Sequence, residues 1–137
     1  MKEITKSGFQ FANPKIKKVL FQINDDFKEY KYEGMPISYG VRITEREESS
    51  ALLELEINIG NEGETTPFCV DLTIVSKFRW TDDVEAPADS LLKLNATTLL
   101  MSYARPIIAH LTADAGIKPF NLPFIDLRND FDEENAE

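Results

Sequence analysis

The chain has 137 residues, 42% of them hydrophobic, with a formal net charge of −9. That length and apolar content suit one domain with one core, here residues 1–137. The charge excludes binding built on phosphate neutralisation, so no nucleic acid, and it excludes adsorption to anionic lipid.

Residues 1–14 read as an N-terminal arm, in which Phe9 and Phe11 before Pro14 can form a short edge strand. Four strand-like runs follow. KIKKVLFQIN sets Val19, Phe21 and Ile23 against Lys18 and Gln22. ISYGVRITER sets Ile37, Tyr39, Val41 and Ile43 against Ser38, Gly40, Arg42 and Thr44. LLELEINIG sets Leu53, Leu55, Ile57 and Ile59 against Glu54, Glu56 and Asn58. PFCVDLTIVSKFRW sets Phe68, Val70, Leu72, Ile74, Phe78 and Trp80 against Asp71, Thr73, Lys77 and Arg79. Such alternation predicts a sheet with one buried face. EREESS and NEGETT are short, polar connections, so the last three runs form an antiparallel meander.

After Trp80 the pattern changes. One helical turn is predicted near residues 90–94, then a main helix over about 96–113 with Asn95 as its N-cap and Gly116 at its end. The predicted fold is α+β: a four-stranded antiparallel sheet (meander), one long C-terminal helix packed on it, and an extended apolar tail. At about 100° per residue, Leu99, Tyr103, Ile107, Leu100, Leu111, Ala104, Ile108 and Met101 cover roughly 200° of the helix. A helix on a sheet needs about 100° or somewhat more. Local loops or a second subunit must bury the excess, and Leu100, Met101, Ala104, Ile108 and Leu111 are the expected oligomer interface. Pro106 removes the amide that the Ser102 carbonyl would meet, so a kink is expected there. His110 on this arc reads as a packed residue, and with one His and one Cys in the chain no transition-metal site or other cofactor is expected.

Cys69 is the only cysteine, so no internal disulfide forms, and a reduced, cytoplasmic setting is the expectation. MKEITKSGFQ lacks the apolar core of a signal peptide, and no run reaches membrane-span length, so membrane insertion is not expected. No nucleophile–base pair or phosphate loop is legible, so the chain does not read as an enzyme. Asp71, Asp82 and Asp83 read as surface or turn acids.

The tail, GIKPFNLPFIDL, is apolar, yet Pro119 and Pro123 force extended or turn geometry and withhold two amide donors. It either folds back over the core or stays partly open as a groove. Residues 128–137 are acidic and are expected to be a mobile end.

LLMSYARPII followed by IKPFNLPFIDL resembles the SecB family of export chaperones, through Tyr103, Ala104, Arg105, Gly116, Pro119, Asn121, Leu122 and Pro123. The order of four strands, helix and tail agrees over about residues 15–127. Three features depart from the family pattern. Ser102 stands where a Pro usually precedes the Tyr, no room remains for a second long helix, and no basic tail is present. The chain looks more like the short SecB-like proteins of Gram-positive bacteria. The resemblance implies a homo-oligomer, dimer or tetramer, with sheets paired across subunits. It implies a holdase for unfolded or partly folded polypeptides, with a possible role in protein export. A module dedicated to one protein partner, such as an antitoxin-like protein, is the alternative. Apolar pockets for such partners are expected at Phe78, Trp80, Tyr103, Phe120, Leu122 and Phe124. Glu54, Glu56 and Asp71 form an acidic strand patch, which the resemblance would offer to an export motor and which otherwise serves solubility.

Overall fold

A computed structural model describes residues 1–127 and residue 130. The expected acidic end therefore lies outside the described residues, Asp130 excepted. Five strands form one antiparallel sheet: β1 (Phe9–Phe11), β2 (Lys15–Ile23), β3 (Ile37–Thr44), β4 (Ser50–Ile59) and β5 (Phe68–Trp80). The expected meander is present as β3-β4-β5. The expected count of four strands is corrected to five. With 13 residues, β5 is long enough for two partners on its free edge. There β2 runs from Lys15 opposite Val75 to Ile23 opposite Phe68, with a bulge between Ile16 and Lys18. Beyond Pro14, β1 continues the edge, Phe9 opposite Trp80 and Phe11 opposite Phe78. Both rings lie near Phe78, at 5.7 and 6.1 Å, which secures so short a strand.

From β2 the chain crosses to the far edge of the sheet through residues 24–36. The buried Asn24 side chain staples this crossing, donating to the carbonyls of Asn61 at 2.7 Å and Thr66 at 2.8 Å. Gly60 ends β4 at φ 71°, where a Cβ would sit 2.3 Å from the Phe68 carbonyl oxygen, so no other residue fits without displacement.

One helix, α1 (Asp89–Asp114), follows β5. Its start corrects the expected cap: Asn95 lies inside it, and the turn predicted at residues 90–94 is its first part. Nothing between Asp89 and Asn95 breaks a helix, and Asp89 favours the positive end of the helix dipole. Arg46 holds this end, donating to the Pro87 carbonyl at 2.9 Å and pairing with Asp89 at 3.3 Å. At the other end Gly116, at φ 87°, closes a Schellman turn: its N–H reaches the Ala113 carbonyl and that of Ile117 reaches Thr112.

The core lies between β4, β5 and α1. Leu53, Leu55, Ile57, Leu72, Ile74, Leu100 and Ile108 are fully buried, each stabilising the fold by about 1.5–3 kcal/mol. The inward face of α1 includes Leu100, Met101, Ala104 and Ile108. These four were expected at an interface between subunits; the chain's own sheet and tail cover them instead.

Candidate functional site

Packing of α1 on β3, β4 and β5 leaves the sheet's inner face uncovered at β2. Registered opposite buried residues of β5, Ile16, Val19 and Ile23 point to the same side as the core, yet they are 51%, 45% and 45% exposed. Phe21 is half-buried, stacked on Phe68 at 5.7 Å. The roughly 200° apolar arc of the helix is thereby divided. Its inner part meets the sheet, and Ile107 and Leu111, half-buried, face β2 across an open groove of about 400 Å³. Ile16, Val19, Pro106 and His110 complete the lining with Asp114 at the rim. His110 is exposed here, which corrects the expectation that it is packed. The band continues to Tyr103, 37% exposed, whose ring meets Phe11 edge-on at 6.1 Å. Along its outer edge β2 has no strand partner among the described residues, so its backbone groups face solvent.

The tail covers the opposite flank of α1. The Thr112 hydroxyl accepts the Phe120 amide, Leu122 is buried, and Arg105 donates to the carbonyls of Leu122 at 3.4 Å and Pro123 at 3.2 Å. At its far end Asp130 accepts a hydrogen bond from the Tyr39 hydroxyl on β3, and burial together with this carboxylate pushes the phenol well above its ordinary range.

Of the residues expected to bind polypeptide, Phe78, Trp80 and Leu122 lie in the core at 1%, 5% and 5% exposure. They have no free area left to offer. Phe120 is half-buried edge-on to Phe68 at 5.9 Å, while Phe124 is 94% exposed. The structure thus brings together Tyr103, Ile107 and Leu111 with Ile16 and Val19, and holds Phe124 apart on the other flank. Sequence reasoning missed the β2 residues, which look there like any other core-facing parity.

The acidic strand residues lie on the sheet's outer face. Glu54 is nearly buried between Lys17 and Arg42, whose hydrogen bonds hold its carboxyl below the ordinary range. Asp71 pairs with Lys18 at 3.1 Å. Glu56 is exposed and accepts a hydrogen bond from Asn58 at 3.2 Å. This is a largely compensated surface rather than an open anionic one. Burial, then the charge of Glu62, raises the Cys69 thiol above its ordinary value, opposite to what a nucleophile needs. No helix among the described residues is long and apolar enough to cross a membrane.

A family model described as preprotein translocase subunit SecB matches residues 8–137. The chain belongs to the SecB family. Among solved structures it is similar to the SecB-like chaperone Rv1957 of Mycobacterium tuberculosis, in complex with a ChAD peptide from the Rv1956 HigA1 antitoxin. That match has a TM-score of 0.61 at 14% identity and covers 86% of this chain and 91% of that one. A protein of unknown function from Streptococcus agalactiae matches with a TM-score of 0.59 at 12% identity, over 85% of this chain and 97% of that one. At these identities the structural likeness concerns the fold. No curated protein sequence matches.

Proposed function

We propose that the chain is a non-catalytic chaperone that holds non-native polypeptide segments on the apolar band between β2 and α1. The observation that carries this reading is the uncovered parity of β2. Ile16, Val19 and Ile23 are as apolar as core residues but stay half in water, beside a groove and an unpaired strand edge. A client strand gains main-chain partners along such an edge and side-chain pockets beside it. Burying one Leu or Phe stabilises binding by about 1.5–3 kcal/mol, while ordering each client residue costs about 1–2 kcal/mol. One contact roughly breaks even, so useful affinity requires several linked sites. Assembly of copies, as dimer or tetramer, supplies them. The burial of Leu100, Met101, Ala104 and Ile108 points away from a helix-to-helix interface built on these four residues. In a reduced cytoplasm, the net charge of −9 keeps a loaded complex soluble and favours clients rich in Lys and Arg.

The test is suppression of aggregation of a thermally unfolding client at equal molar ratio. Suppression without nucleotide supports the reading, and unhindered aggregation sinks it.

The peptide-bound Rv1957 structure favours a second reading, a module dedicated to one partner. Competition separates the two: many unrelated unfolded chains displace a client from a general holdase, and one chain alone displaces it from a dedicated module. Transfer of clients to an export motor would rest on Glu56, the one carboxylate of Glu54, Glu56 and Asp71 with no cation paired to it among the described residues.

A further inference from the structure

Residues 117–127 have no helix or strand of their own, so their backbone must find partners elsewhere. Two helix side chains supply them. Thr112 anchors the Phe120 amide, and the Arg105 guanidinium takes the Leu122 and Pro123 carbonyls. Beyond Pro123 the inward and outward positions alternate: Phe124 out, Ile125 in, Asp126 out, Leu127 in. This is the pattern of an extended segment laid on an apolar surface. The surface is the flank of α1 formed by Leu94, Thr98 and Met101, and a cavity of about 490 Å³ remains between it and the tail. The segment underfills its seat. Phe124 borders that space and stays exposed, its ring under Arg105 at 5.1 Å.

Resting on the polypeptide-binding reading above, we propose that Ile125 and Leu127 form an intramolecular strap. The strap occupies the flank of α1 that an incoming extended segment takes when Arg105 lets the tail go. The chain carries its own stand-in client, with apolar side chains at alternate positions and carbonyls that accept from Arg105. Those two bonds hold the tail in place, so Arg105 is a positioning residue for the strap. Release of the strap joins the second flank of the helix to the open band at β2.

The test uses the full chain and a fluorescently labelled, permanently reduced lactalbumin as the unfolded probe. Ile125→Ser with Leu127→Ser is expected to tighten probe binding at least fivefold. Arg105→Gln removes the two carbonyl bonds and the contact with the Phe124 ring while leaving Ile125 and Leu127 unchanged, and is expected to tighten it about two- to threefold. In the unsubstituted chain, adding the probe is expected to quicken hydrogen exchange at amides 125–127. Unchanged or weaker binding by the variants, or slower exchange at those amides, overturns the strap and leaves the holdase reading standing. A probe that binds neither the chain nor its variants overturns both.

Discussion

The buried hydroxyl of Thr112 accepts the Phe120 amide at 2.8 Å while itself lying within reach of the Ile108 carbonyl at 2.9 Å. A single side chain on the last buried turn of α1 thus fixes where the tail turns back. Thr112→Val keeps the shape and strands the Phe120 amide. Stability to urea is expected to fall by about 1–3 kcal/mol, with faster hydrogen exchange at Phe120. An unchanged midpoint would mean that water replaces the hydroxyl.

Glu54 ties β4 to Lys17 on β2 and Arg42 on β3. Because these cations lower its carboxyl below the usual 4.5, the pairs contribute fully at neutral pH, and that contribution fades as acid carries the group through its lowered value. Glu54→Gln is expected to reduce the melting temperature by a few degrees at pH 7 and by progressively less toward pH 3. A deficit that is constant with pH would contradict this.

Ile107 and Leu111 line the groove while half-exposed. Covering the remainder of two such side chains is worth roughly half of their full 1.5–3 kcal/mol each. Ile107→Ser with Leu111→Ser is therefore expected to weaken capture of an unfolded client about tenfold or more. Tyr30→Ser, at a site 81% exposed in the crossing loop, is expected to leave capture unchanged. Equal effects from both would remove the groove from consideration.

Ile16 and Val19 are half in water and contribute little to the single chain. Ile16→Asp with Val19→Asp is expected to weaken capture of an unfolded client about tenfold, with a melting temperature close to the parent's. Undiminished capture would place the client surface elsewhere.

Most of the sheet can be read from alternation, because inward and outward positions follow the strand period directly. The four long strands lie within two residues of their expected limits at every end. The second occupant of β5's edge was harder to see, its main signal being that β5 outruns each of its neighbours in length. The helix start was misread because Asn95 is a good cap by type, whereas the residues ahead of it continue the helix through propensity and an Asp at the first position. The uncovered face of β2 was hardest. Val19 and Leu55 carry the same signal in their strands, yet one is 45% exposed and the other fully buried. Parity says which way a side chain points. Whether anything lies above it depends on sheet order, and sheet order is set by the long crossing through residues 24–36.

A strand edge without a partner among the described residues, such as that of β2, invites runaway stacking. The irregularity between Ile16 and Lys18 bends and twists this edge, and Pro14 interrupts it one residue before the strand begins. Lysines at 15, 17 and 18 repel an identical row placed alongside in parallel. Such an edge resists the endless self-addition that becomes a fibril.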